Sequence, residues 1–184
     1  MSKTIVHKEG YTQSDLDQLF QRADKQWELG HLKSAFRLFL LCAKAGDSGC
    51  QVNLGTFYRD GIGVRSNRER AIYWYHRAYR QGLGGAASNL GVLYRDEGRA
   101  KQAVQWFERA KDGDADLAIA LIYLQQEDMK RAKHYLKRAS NSPRVTEASR
   151  DQARELLEDL DRRESCGNPD KPEKPGDRRN RSPL

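Results

Sequence analysis

Long apolar runs are missing from this chain. No stretch approaches the ~18 apolar residues a membrane helix needs, so no membrane-spanning segment is expected. The start, MSKTIVHKEG, lacks an apolar core followed by small cleavage-site residues, and no secretory signal is expected there. Cysteine is scarce: Cys42, Cys50 and Cys166 are the three. Their spacing fits no metal-ligand motif, and the first two fall where small buried residues are wanted. Three such thiols predict a reducing compartment, no disulfide framework and a cytoplasmic location. Histidine is equally thin. His7, His31, His76 and His134 are scattered, none with Cys, Asp or Glu at zinc-site spacing. Phosphate loop, dinucleotide fingerprint and nucleophile elbow are all lacking. Paired carboxylates such as Glu158 and Asp161 sit among many other charges. The expectation is no enzyme, no metal and no cofactor.

What the chain does have is charge and repetition. It is 38% hydrophobic and 32% charged, which suits an elongated helical array with much surface. The net charge is +7, unevenly spread: six Arg fall between Arg59 and Arg80, against Asp60 and Glu69. A solvated helix face explains such a run, and attraction of an acidic partner is the alternative.

The repetition is explicit. Leu54, Gly55 and Tyr58 recur 36 residues later as Leu90, Gly91 and Tyr94. Ala71, Trp74 and Ala78 recur 32 residues later as Ala103, Trp106 and Ala110. Self-similarity at this period marks stacked helical hairpins that bury their apolar faces against neighbours. The first hairpin reads from Leu16, Leu19, Phe20, Ala23 and Trp27, with Ser14 as cap, to Ala35, Leu38, Phe39 and Cys42, closed by Gly46. In the second, the loop DGIGVRSN uses Gly61 and Gly63 to turn, Val64 to plug onto the core and Asn67 to cap the next helix. The third loses four residues from its turn. The fourth carries Ala120 and Tyr123, then Ala132, Tyr135, Leu136 and Ala139. Ser142-Pro143 reads as a cap and first turn for an amphipathic closing helix with Val145, Ala148, Gln152, Leu156 and Leu160. The boundaries are a flexible arm at 1–12, a repeat domain at 13–163 and a proline-rich, charged, disordered tail at 164–184.

Glycine in mid-helix costs about 0.5–1 kcal/mol relative to alanine. Its repetition at Gly55 and Gly91 predicts close approach of two backbones, aided by Ala71, Ala78, Ala103 and Ala110. Trp74 and Trp106 are expected between hairpins, and Tyr58 and Tyr94 near the turns.

On these residues the run from Gly46 to Gly82 resembles a Sel1-like repeat, a relative of the tetratricopeptide repeat. It supplies Leu54-Gly55, Tyr58, Gly61, Gly63, Val64, Ala71, Trp74-Tyr75, Ala78 and Gly82 of that pattern. It departs at Cys50, Arg70 and Tyr79. The resemblance covers roughly 14–140 and implies an all-α fold: an α-solenoid of about four antiparallel helix pairs in a right-handed superhelix, with a C-terminal capping helix. It implies a monomeric, non-catalytic adaptor for a protein or peptide, regulatory or complex-assembling in a bacterium-type cytoplasm.

The tetratricopeptide spacing then sends certain first-helix positions into a concave groove. They are Asp17, Gln21, Asp24 and Glu28; Asn53, Thr56, Arg59 and Asp60; and Asn89, Val92, Arg95 and Asp96. Arg59 and Arg95 can clamp a carboxylate while Asn53 and Asn89 bond a peptide backbone. Alternatively, Arg59-Asp60 and Arg95-Asp96 form local ion pairs. A second surface holds Tyr73, His76, Arg77 and Arg80 on one helix, with Arg65, Arg68 and Arg70 near its start. Arginines among aromatics offer a secondary expectation of nucleic-acid binding.

Overall fold

The computed structural model describes residues 10–110, 113–143 and 145–166. Most of the expected arm and tail lies outside them. The longer elements among the described residues are all helices: α1 (Gln13–Glu28), α2 (Leu32–Ala45), α3 (Ser48–Asp60), α4 (Arg68–Arg80), α5 (Gly85–Asp96), α6 (Ala100–Ala110), α7 (Gly113–Gln125), α8 (Met129–Asn141) and α9 (Glu147–Cys166). Contacts concentrate between helices adjacent in sequence, and α9 lies on α8 and touches α7. That is an α-solenoid of four helix pairs and a closing helix.

Local chemistry sets most boundaries. Asn67 caps α4 by accepting from the Arg70 amide at 2.8 Å, as expected. Asp47 caps α3 through the Cys50 amide at 2.6 Å, and Asp128 caps α8 through the Arg131 amide at 3.0 Å. Two expected starts are corrected. Thr12, not Ser14, caps α1. Its hydroxyl accepts from the Asp15 amide at 3.2 Å, and the Asp15 carboxylate accepts from the Thr12 amide at 2.8 Å. This reciprocal pair satisfies two amides at the helix start. Ser14 also has an acid three residues on, Asp17, but Ser14 already lies inside the first turn of α1, and Asp17 accepts from the Gln13 side chain at 2.9 Å. Likewise Ser142-Pro143 does not open α9. Ser142 ends α8 with extended backbone, and the Thr146 hydroxyl takes the capping place by accepting from the Ser149 amide at 3.3 Å. The helix then runs to Cys166, past the boundary expected at 163.

The largest correction concerns the cysteines. Cys42 and Cys50 are fully buried and joined as a disulfide, with Cα atoms 5.8 Å apart. Gly46, at φ 117°, reverses the chain, so the last turn of α2 faces the first turn of α3. The bond ties the first helix pair to the second. It removes the cysteine-based case for a reducing compartment.

The repeated glycine is also explained differently from the expectation. A Cβ on Gly55 would lie 2.6 Å from the ring of Tyr75. A Cβ on Gly91 would lie 2.6 Å from the ring of Phe107. An aromatic ring from the facing helix, not its backbone, fills each notch. The neighbouring position follows suit. The Tyr75 hydroxyl lies 3.0 Å from that of Thr56, whereas Phe107 has no hydroxyl and Val92 occupies the place of Thr56. In the fourth pair the same places hold Ala120 and Leu136, both fully buried: a larger notch residue with a smaller filler. The first pair has Ala23 and Phe39 there, both buried.

Trp106 sits between the second and third pairs, its ring 4.9 Å from His76 and 5.4 Å from Tyr79 of α4. Trp74 is buried in the N-terminal core. Val64 packs on that core, and Gly63 (φ 65°) passes so close to α2 that a Cβ would lie 2.4 Å from the Leu32 carbonyl oxygen. The eight-residue loop is thus seated on the first helix pair.

Candidate functional site

The helices divide by charge. The second helices of the pairs, α2, α4, α6 and α8, carry fourteen Lys and Arg against Glu69 and Glu108. The first helices, α1, α3, α5 and α7, carry Arg22, Lys25, Arg59 and Arg95 against eight acids. One set of helices is strongly basic and the other weakly acidic, so the two surfaces differ in electrostatic character.

The expected groove residues all lie on the acidic layer. Asp17, Gln21 and Glu28 are exposed, and Asp24 is half-buried. Asn53, Thr56, Asn89 and Val92 are half-buried. They occupy equivalent places on α3 and α5 and continue onto α7 as Ala118 and Leu121, the latter 39% exposed. Arg59 donates two hydrogen bonds to the Asp60 carboxylate, at 2.7 and 2.8 Å. Arg95 donates two to Asp96, at 3.1 and 2.9 Å. Each arginine is therefore held by its neighbour. The bond to Asp60, aided by the charge of Asp96 on α5, raises the Arg59 pKa; the Arg59 guanidinium holds Asp60 below the usual carboxylate range. Burial raises the Tyr75 pKa, opposed by the hydrogen bond between its hydroxyl and that of Thr56.

The expected basic patch divides in two. Arg65 is exposed on the loop before α4. Arg68 pairs with Glu97 of the next turn and lies over the Tyr94 ring at 5.6 Å. Arg70 donates to the Tyr58 hydroxyl at 3.2 Å with its guanidinium 5.3 Å from the ring centre. Arg99 on Tyr94 and Arg131 on Tyr123 repeat this contact, at 4.9 and 5.2 Å. These arginines seal the turns. Tyr73, Arg77 and Arg80 lie apart from them, toward the other end of α4.

Cys42, Asp47 and Cys50 are close enough together to suggest metal ligands. Their donors are committed, since the sulfurs are bonded to each other and the carboxylate caps α3. His31 bonds Gln26 at a turn, at 3.0 Å, and His134 lies edge-on to Tyr135. Neither meets a nucleophile. No helix among the described residues is long and apolar enough to cross a membrane.

Family models match along most of this array. A Sel1 repeat covers 48–83, the second helix pair. Tetratricopeptide repeats cover 85–116 and 117–142, the third and fourth. A Sel1-like repeat-containing protein of Acanthamoeba polyphaga mimivirus is 34% identical over 86 residues. The chain is a Sel1-like repeat protein.

Solved structures agree on the fold. A Sel1 repeat protein from Oxalobacter formigenes superposes with a TM-score of 0.62 at 23% identity, over 77% of this chain and 62% of that one. A protective antigen of uropathogenic Escherichia coli with an SLR fold gives 0.59 at 22%, over 68% and 30%. MamA gives 0.54 at 18%, over 78% and 95%. This Sel1-like repeat protein spans 16% of the length of the mimivirus relative, whose match takes in 45% of the chain. Sel1 and tetratricopeptide repeats are in general protein-interaction modules and non-catalytic scaffolds.

Proposed function

We propose that this chain is a monomeric, non-catalytic adaptor that binds a protein segment along the part-exposed row of α1, α3, α5 and α7, regulating or assembling a complex. The observation that supports it is the row itself. Gln21 and Asp24, Asn53 and Thr56, Asn89 and Val92, and Ala118 and Leu121 stand in equivalent places on four successive helices. An extended peptide can cross such a row, bonding its backbone to Asn53 and Asn89. The acids at Asp17, Asp24 and Glu28 suit a basic residue at one end, and Leu121 an apolar residue at the other. Because Arg59 and Arg95 are already held by Asp60 and Asp96, the asparagines are the stronger anchors.

Panning a peptide-display library against the full chain, then measuring the best peptide by calorimetry, tests this. Replacing Asn53 and Asn89 by Ala removes two hydrogen-bonding side chains worth about 1 kcal/mol each, a loss of ten- to thirtyfold in affinity. Unchanged affinity in a folded N53A/N89A variant removes the row as the binding site.

A further inference from the structure

The basic layer carries a feature that the adaptor reading does not use. On α4, α6 and α8 an arginine lies over an aromatic ring three residues earlier: Arg77 over Trp74 at 5.2 Å, Arg109 over Trp106 at 4.5 Å, Arg138 over Tyr135 at 5.1 Å. The three arginines are at equivalent repeat positions, 32 and 29 residues apart. Arg138 is paired with Asp116 at 3.0 Å. Among the described residues no carboxylate pairs with Arg77, Arg80 or Arg109. Arg80 and Arg109 come from different helices: Arg109 lies on the Trp106 ring, against which His76 packs at 4.9 Å, and Arg80 is one turn on from His76 in α4. Burial first, and then those two cations, lowers the His76 pKa.

Arg80 of α4 and Arg109 of α6 thus flank this seam, and Arg77 lies one turn before Arg80 on α4; among the described residues none of the three has a counter-charge, in a chain that has 26 acids available. A guanidinium lying on an indole can still donate from its N–H edge to an anion; Arg77 spends one N–H on the Tyr73 hydroxyl at 3.5 Å and keeps the others. Tyr73 stands beside Arg77 and is 52% exposed, leaving ring surface open. We infer that this face, built on Tyr73, Arg77, Arg80 and Arg109, binds a single-stranded nucleic acid through its phosphates, with a base against Tyr73. A single strand carries a charge about every 3.4 Å and a stackable ring with each. An acidic peptide offers the charge but not the rings.

The test is fluorescence anisotropy of the full chain with a labelled 20-nucleotide single strand of uridine. Binding is expected at 50 mM salt. Three phosphate contacts give a slope of roughly −2 in log–log form, so affinity falls about twentyfold by 200 mM. The R77Q/R80Q/R109Q variant is expected to lose about two units of that slope and at least tenfold in affinity. R22Q/K25Q, exposed on α1 of the opposite layer, should bind as the parent does. If the triple variant unfolds by circular dichroism, R80Q/R109Q replaces it, since both side chains are exposed and Arg77 stays on Trp74. No binding at 50 mM, or equal binding by the folded variant, overturns the inference. So does displacement of the strand by polyglutamate at equal charge, which would reassign the face to an acidic protein.

Discussion

In the second helix pair the notch at Gly55 receives Tyr75, whose hydroxyl meets Thr56. In the third the notch at Gly91 receives Phe107, and Val92 stands in the place of Thr56. The two joints have one geometry and different chemistry, polar in one and apolar in the other. Within each joint the residues changed together. The lesson is that the repeat conserves a volume and a satisfied pairing, and side-chain identity follows from those. The fourth pair extends it, with Ala120 filling part of the notch and Leu136 replacing the ring.

The two pairs also differ in how they are tied to what precedes them. The second is bonded to the first through Cys42–Cys50; the third joins the second without a cross-link, by packing and the Arg68–Glu97 ion pair. Reduction is therefore expected to have the largest effect, lowering stability by about 2–3 kcal/mol for so short a loop. Urea titration with and without reductant measures this, and a thiol assay on the denatured oxidised chain should find one free thiol. Three free thiols before reduction would remove the distinction.

The notches come next. Gly55→Ala and Gly91→Ala each push a methyl into a ring, an overpacking cost of about 1–3 kcal/mol. It is reduced by roughly 0.5–1 kcal/mol of helix preference. Equal losses in thermal melts would support equivalence of the joints; a stabilised variant would break it. Smaller again is Thr56→Val, which strands the buried Tyr75 hydroxyl at about 1 kcal/mol. Adding Tyr75→Phe should recover most of that loss, because T56V/Y75F turns the second joint into the third. A double variant no better than the single would show that the hydroxyls were not paired.

The smallest effect separates the third pair from the fourth. Trp106 does not ionise, but its counterpart Tyr135 does, and its pKa is pushed up to about 12 by burial and then by its hydrogen bond to Glu108 at 2.8 Å. An unfolded tyrosine ionises near 10. The raised value means that this stability is fully present below pH 10 and is lost as pH rises toward 12. Tyr135→Phe should flatten that part of the stability profile, and an unaltered profile would assign the slope to other groups.

Much of this was legible in the sequence. Leu54-Gly55 and Leu90-Gly91 announced the helix pairs, and Asn67 announced a cap. The filler rings were missed because Tyr75 sits 20 residues from its glycine and Phe107 only 16, the difference being the longer loop. The substitution of Leu136 opposite Ala120 was the signal that links them. The first pair matched poorly for a physical reason. Arg22 and Lys25 occupy the places of Leu90 and Leu93, which the third pair buries in the core it shares with the preceding pairs. A polar flank is what the open end of a stack requires. The disulfide was invisible because the two cysteines also suited small buried positions. The division of charge between layers was readable only once each helix had been assigned to one.

The most direct test of the ring-in-notch joint is a double-mutant cycle on Gly91→Ala and Phe107→Leu, followed by urea denaturation. The substitutions together recreate the fourth joint in the third. If ring and notch are complementary, the double variant is more stable than the sum of the single losses predicts, by about 1 kcal/mol or more. Strictly additive losses would mean that ring and glycine do not share one space, and would contradict the account.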